Sequence, residues 1–236
     1  MFDGYSVMET DNHFFAIDLH VHIDEKVKYH QIPGVLRARN MDGVGIVTHN
    51  DLPFAKKIVD IFKRNDSEKL YIAGVEIDTI DGHLIAYGID EEIPPDLSAA
   101  ETIELIKEQN GVSIIPHPLL SHNSIGFKAK NLKADAMEFY NGFAKIFLNF
   151  PNFMTTVAFK HNGFGRVGGS DAHYAKAIGT CYSLIEINGE LSEANTLEAI
   201  RLHKTQPAKK PIDHYDIINF IKIVFTPKEG RKVIRF

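Results

Sequence analysis

The sequence predicts an α/β protein in which strands and helices alternate around a barrel-like sheet. Short apolar runs bounded by turn residues alternate with amphipathic segments of helical length, as in parallel β/α units. The chain has 236 residues and shows neither an internal repeat nor a low-complexity linker, which favours a single domain spanning residues 1–236. Polar residues gather where the predicted strands end, the usual place for an active site in such folds. A doubly wound open sheet is the alternative fold.

The predicted elements follow one another in regular order. Strands are expected at 14–21, 43–47, 70–77, 83–88, 112–115, 136–140, 166–169 and 180–187. Helices are expected at 34–41, 52–64, 99–109, 152–161, 192–204 and 213–225. Asp51 followed by Pro53 marks the start of the second helix, and Ser98 with Glu101 has the spacing of a capping box before the third. We expect residues 190–236 to form C-terminal helices packed on the barrel.

Composition excludes several classes of protein. Hydrophobic residues make up 44% and charged residues 24%, which is typical of a globular domain and not of a disordered or fibrous chain. A formal net charge of −5 gives no global basic surface for duplex nucleic acid. The single cysteine, Cys181, excludes an intramolecular disulfide framework and a cysteine-based zinc site. Since we find neither a signal peptide nor a membrane-spanning apolar run, we expect a cytoplasmic protein without a membrane partner.

Two pairs of polar side chains are spaced to bind a metal ion together. His20 and His22 stand two residues apart, as do Asp171 and His173, so extended backbone points both members of each pair to one face. Histidine and carboxylate ligands without cysteine favour Zn²⁺, Mn²⁺ or Fe. Further donors lie at the ends of other predicted strands or just beyond them: His49, Glu76, His83 and His117. These are more ligands than one tetrahedral ion can use, so we expect two or three divalent ions.

Two acidic residues near these pairs are expected to support the site. Asp18 lies on the same face of the first strand as His20 and can accept a hydrogen bond from an imidazole. Glu138 lies in the sixth predicted strand, and we expect it to be structural or to support a ligand.

The ordered motifs resemble those of the PHP (polymerase and histidinol phosphatase) family over about residues 15 to 190. The motifs are Asp18-Leu19-His20-Val21-His22, Gly74-Val75-Glu76, Gly82-His83-Leu84, Pro116-His117-Pro118 and Gly169-Ser170-Asp171-Ala172-His173. The resemblance implies a distorted (β/α)7 barrel of TIM-barrel type, with the metal site at the C-terminal ends of the strands. It implies that Glu76 bridges two ions and that His20, His22, His83, His117, Asp171 and His173 complete the metal shell. Catalysis is assigned to Glu76, His20 and Asp171.

Two positions depart from the family pattern. The family usually has Thr-Asp-His after the second strand, whereas this chain has Thr48-His49-Asn50-Asp51, so either His49 or Asn50 fills the ligand position; we favour His49. The family also usually has an aspartate about seven residues after the HxH motif, where this chain has Tyr29. Asp24, Glu25 and His30 are the candidates to replace it, and the third metal ion depends on that replacement.

The favoured function is a metal-dependent phosphoesterase in which a metal-bound hydroxide attacks phosphorus. A small-molecule phosphoester is the expected substrate. Two alternatives remain: a nuclease of the same chemistry, which the net charge disfavours, and a metal-binding regulatory domain without turnover, which the two departures motivate. The sequence does not indicate an oligomeric state.

Overall fold

A nine-stranded mixed sheet dominates the computed structural model, which describes residues 12–23, 29–120 and 123–211. Its strands are β1 Asn12–His22, β2 Gly43–His49, β3 Leu70–Thr79, β4 Gly82–Tyr87, β5 Val112–Ile115, β6 Ala136–Asn141, β7 Gly165–Gly169, β8 Cys181–Asn188 and β9 Thr205–Lys209. The helices of the described residues are α1 Ile32–Ala38, α2 Leu52–Asn65, α3 Ala99–Glu108, α4 Phe150–Ala158 and α5 Glu193–Arg201.

The strand order is β7-β6-β5-β4-β3-β2-β1-β8-β9. β1, β2 and β3 are parallel neighbours, and so are β5, β6 and β7. β4 is antiparallel to both β3 and β5, and β8 is antiparallel to both β1 and β9. Seven strands, β9 included, therefore bring their C-terminal ends to the same edge of the sheet, and the antiparallel β4 and β8 begin at that edge.

The sheet curls into a nearly closed barrel. One buried apolar cluster draws side chains from every strand from β1 to β8, including Ile17, Val47, Ile114 and Ile185. β7, at one end of the strand order, packs back against β8 and β9. The Ser183 hydroxyl joins this seam, since it accepts from the Gly168 amide (2.9 Å) and donates to the Gly168 carbonyl (3.0 Å). The interior is thus a packed core, with α5 contributing Leu197 and Ile200 to it.

Local sequence signals set the helix starts. The Asp51 carboxylate accepts a hydrogen bond from the Phe54 amide (3.0 Å) at the start of α2. Ser98 and Glu101 form the expected reciprocal capping box on α3. Both arrangements satisfy amide groups that a helix leaves without an internal partner.

The architecture confirms a mixed α/β, barrel-like fold, but not the regular seven-unit alternation. β3 and β4 form a hairpin without a helix, and β9 is a strand that the sequence analysis does not assign. Residues 190–211 accordingly hold one helix and then a strand, where only helices were expected. The predicted helix at 213–225 lies outside the described residues. Every helix that the structure describes is too short or too polar to cross a lipid bilayer.

Candidate metal centre

The strand ends bring the predicted ligands together. His20 and His22 end β1, and His49, the last residue of β2, stands in register with Glu76 of β3. His83, near the start of the antiparallel β4, lies opposite Asp78 of β3. His117 follows β5, and Asp171 and His173 follow β7.

One group of donors consists of His20, His22 and Asp171. The Nε2 atoms of the two histidines are 2.9 Å apart. The Asp171 Oδ1 atom lies 3.6 Å from Nε2 of His20 and 3.5 Å from Nε2 of His22. The two nitrogens and the oxygen therefore face one another around a single point. Both histidines are buried, so solvent has little access to that point.

A second group consists of Glu76, His83 and His117. The Glu76 Oε1 atom lies 3.0 Å from Nδ1 of His83 and 3.1 Å from Nε2 of His117. Its other oxygen, Oε2, lies 3.2 Å from Nε2 of His22 in the first group. Glu76 therefore stands between the two groups and contacts members of both.

His49 and His173 stand at the rim of these two groups. His49 Nδ1 is 3.5 Å from Glu76 Oε2, and its side chain is 47% exposed. His173 Nε2 is 3.5 Å from Asp171 Oδ1. The two rings flank the ring of His22, with centroids 4.7 Å and 4.3 Å from it.

The structure separates the roles of His49 and Asn50. The Asn50 side chain is engaged by Asp78: its amide donates to Asp78 Oδ2 (2.7 Å), and its oxygen accepts from the Asp78 backbone amide (2.9 Å). The residue that faces Glu76 at the end of β2 is therefore His49.

None of the described residues around Tyr29 replaces the usual family aspartate. Tyr29 is exposed and belongs to a short 3-10 turn, where its ring lies 6.5 Å from that of Phe62. His30 is also exposed and joins none of the clusters that the described histidines and acids form. Asp24 and Glu25 lie outside the described residues.

Glu138 contacts two of the histidines through its two carboxylate oxygens. Its Oε1 atom is 2.9 Å from Nδ1 of His20, and its Oε2 atom accepts from the His117 backbone amide (2.9 Å). Asn141 donates to the same Oε2 (2.9 Å). Glu138 thus orients the His20 ring so that Nε2 points to the other ligands.

Asp18 does not take the role expected of it. Its buried carboxylate accepts from the backbone amides of Ser170 (2.8 Å), Gly179 (2.6 Å) and His20 (3.3 Å). Burial raises its pKa to about 6 against the opposing effect of these hydrogen bonds. Asp18 therefore ties β1 to the segment after β7, while the carboxylate beside the His20 imidazole is Glu138.

Asp78 is the residue that the sequence analysis missed. It falls between the predicted strands 70–77 and 83–88, yet its Oδ1 atom lies 3.1 Å from His83 Nε2 and 3.8 Å from His49 Nδ1. The available signal was its spacing, since it follows Glu76 by two residues on an extended strand and so shares its face.

Opposite charges stabilise the ionised carboxylates of the cluster. Burial by itself would raise the pKa of Glu76 and of Asp171, but the charge of His20 and hydrogen bonds from other histidines hold both pKa values well below their usual range. Burial would conversely lower the pKa of His20, which Glu138, Asp171 and Glu76 raise well above its usual value. For the more exposed His49, burial prevails and lowers the pKa. The centre therefore combines fixed negative charge with nitrogen donors, which suits a bound cation.

A pocket of about 540 Å³ opens beside the centre. It is lined by His49, residues 78–83 and Asn123. Among the described residues of this lining, Asp78 and Asp81 contribute carboxylates, and none is lysine or arginine.

Part of the sequence is similar to known proteins. Residues 151–205 match a family model described as PHP-associated. The uncharacterized protein MJ1587 of Methanocaldococcus jannaschii is 33% identical over 110 residues. That match covers 46% of this chain and 63% of the relative, so this chain spans less than two thirds of that protein.

Solved structures share the fold at low sequence identity. PsfC from Pseudomonas syringae is 13% identical with a TM-score of 0.67, covering 87% of this chain and 95% of that one. An amidohydrolase from Chromobacterium violaceum, with bound sulfate and no metal, is 13% identical with a TM-score of 0.53, covering 69% and 89%. A protein from Bifidobacterium adolescentis, of inferred metal-dependent phosphoesterase activity, is 12% identical with a TM-score of 0.52, covering 91% and 98%.

Proposed function

Because this chain belongs to the PHP family, we propose that it is a metal-dependent hydrolase that acts on phosphate esters through two divalent ions. The observation that carries the proposal is the convergence of His20, His22 and Asp171 with Glu76, His83 and His117 at one edge of the barrel. The two groups share no residue, so each can hold its own ion.

The donor set fits transition-metal ions. Each group contains imidazole nitrogens and at least one carboxylate, a combination that suits Zn²⁺, Mn²⁺ or Fe. The Nε2 atoms of His20 and His22 lie 2.9 Å apart, so either one hydrogen or a cation can lie between them. The Asp171 carboxylate close to both nitrogens adds an oxygen donor, which supports a metal role for the pair.

Two bound divalent ions would supply Lewis-acid charge and lower the pKa of a coordinated water. The protein contributes the geometry. Glu76 links the groups, Glu138 fixes the His20 ring, and the rim residues His49 and His173 are available as further ligands on the Glu76 and Asp171 sides. Burial of the inner ligands excludes bulk water and strengthens their electrostatic interactions.

The neighbouring pocket favours a small substrate over a nucleic acid. Nucleic-acid sites rely on basic residues that neutralise backbone phosphates. The lining of this pocket instead carries Asp78 and Asp81, and the Lys128 ammonium beside it is 2.8 Å from the Asp81 carboxylate. We therefore place a neutral or cationic organic group in the pocket and the phosphoryl group at the metal centre.

Hydrolysis of aryl phosphomonoesters and phosphodiesters, with and without added Mn²⁺ or Zn²⁺, tests the proposal. We expect metal-dependent turnover that Glu76→Gln lowers by more than about 100-fold, since the bridging charge is lost. Glu91→Gln removes an exposed carboxylate away from the centre and is the matched control. Unchanged turnover in folded Glu76→Gln protein would contradict the mechanism.

A further inference from the structure

The His83 ring lies between two carboxylates, one at each nitrogen. Nδ1 is 3.0 Å from Glu76 Oε1, and Nε2 is 3.1 Å from Asp78 Oδ1. A neutral imidazole carries a hydrogen on one nitrogen and a lone pair on the other. Only one of the two sides can therefore use His83 as a metal ligand, unless the ring loses both protons.

Burial decides which side receives the lone pair. On the Glu76 side, His117 Nε2 lies 3.1 Å from the same carboxylate oxygen, and the Glu76 side chain is only 2% exposed. On the other side the Asp78 side chain is 46% exposed. The further partner there is His49, whose Nδ1 atom lies 3.8 Å from Asp78 Oδ1. The compact, buried group is the better cation site, so Nδ1 faces the ion and Nε2 carries the hydrogen.

Asp78 is held in place to accept that hydrogen. The Asn50 side chain donates to Asp78 Oδ2 (2.7 Å) and accepts from the Asp78 backbone amide (2.9 Å). Asn50 itself has a φ of 50°, in the left-handed region that asparagine tolerates better than most residues. The other carboxylate oxygen, Oδ1, is left to face His83.

We propose that Asp78, fixed by Asn50, is a positioning residue that holds His83 as its Nε2–H tautomer and directs Nδ1 to the metal centre. The assignment rests on the metal-binding function proposed above. Glu138 provides the internal parallel, since it lies 2.9 Å from Nδ1 of His20 and leaves Nε2 for the centre. The two carboxylates thus select opposite tautomers in two histidines of one site. Carboxylates behind metal-binding histidines commonly fix ring orientation in this way.

Zinc titration of the full chain tests the assignment in Asp78→Ala and Asp78→Asn, with Asp81→Asn as the control. Asp81 lines the same pocket, but its carboxylate pairs with Lys128 and the Ala99 amide. We expect each variant to bind two zinc ions, with the affinity for one ion lowered by about 10- to 100-fold in Asp78→Ala. Asp78→Asn keeps an acceptor oxygen, so its zinc affinity should lie between those of Asp78→Ala and the wild type. Asp81→Asn should match the wild type.

Nitrogen-15 NMR of zinc-loaded wild-type protein reads the tautomer directly. We expect a protonated Nε2 and a zinc-bound Nδ1 for His83. The assignment would be overturned if zinc is bound to Nε2 of His83, or if Asp78→Ala binds zinc as tightly as the wild type. It would also be overturned if Asp78→Ala loses one whole zinc equivalent, because Asp78 would then be a metal ligand. If the wild-type protein binds no zinc, the proposed metal centre itself is refuted, and not only the role of Asp78.

Discussion

Gly169 stands where the side chains of Glu138 and His20 leave no room for another carbon. A Cβ atom built on Gly169 would lie 2.4 Å from Glu138 Oε1 and 2.4 Å from the His20 Cβ. Glycine before the Ser170-Asp171 pair is therefore a packing requirement of the centre, because β7 must approach β1 closely to bring Asp171 beside the histidines.

Gly169→Ala should consequently destabilise the protein. We expect a loss of about 1–3 kcal/mol in the free energy of unfolding, the usual cost of overpacking a core, with a weaker affinity for metal as His20 shifts. Urea denaturation measures the loss. Gly163→Ala, where a Cβ meets no atom within 4 Å, is the control, and equal stability of the two variants would refute the packing argument.

Glu138→Gln should impair the centre without removing a ligand. The amide keeps the shape of the side chain but loses the charge beside Nδ1 of His20, so the ring is less firmly oriented. We expect metal affinity to fall by about 10- to 100-fold while metal stoichiometry is retained. Competition with a chromogenic chelator provides the measurement, and wild-type affinity in this variant would show that Glu138 does not orient the ring.

Metal should stabilise the folded chain. Since the ligands converge only when β1, β3, β5 and β7 are in place, a divalent ion binds the folded state preferentially. At 100 times its Kd one ion adds about 2.7 kcal/mol, which should raise Tm by roughly 5 to 10 °C. Scanning calorimetry with zinc and then with excess chelator checks this. A Tm that responds to neither addition would argue against a site built by folding.

Cys181 should be inert in the folded protein. Its side chain is buried, and burial together with the charges of Asp18 and Glu138 raises the pKa of the thiol, so little thiolate forms at neutral pH. We expect no reaction with a thiol-specific disulfide reagent until denaturant is added. Rapid labelling of native protein would contradict the buried position of β8 against β1.

Strong local signals explain what the sequence predicts well. β5 matches its predicted bounds, residues 112–115, because an apolar run there is delimited by Gly111 and Pro116. All eight predicted strands occur, and the predicted histidines and acids meet because parallel strands end, and the antiparallel β4 begins, at one edge. Periodicity and turn residues, which are local, therefore fix the framework of the site.

What the sequence does not predict depends on contacts between distant segments. β9 contains Pro207 and ends in Lys209, which is a weak strand signal, and it forms through antiparallel pairing with β8. Asp18 was expected beside an imidazole, but the return of residues 170 and 179 to β1 gives its carboxylate backbone partners instead. Asp78 meets His83 through the register of the β3–β4 hairpin, which a turn-rich sequence does not specify.

The metal content of purified, untagged wild-type protein tests the central claim most directly. Elemental analysis after reconstitution with zinc or manganese, followed by removal of excess metal, should give two ions per chain, with Glu76→Gln retaining fewer. A wild-type chain that retains no transition metal would contradict the account, because the convergence of His20, His22, Glu76, His83, His117 and Asp171 would then serve another purpose.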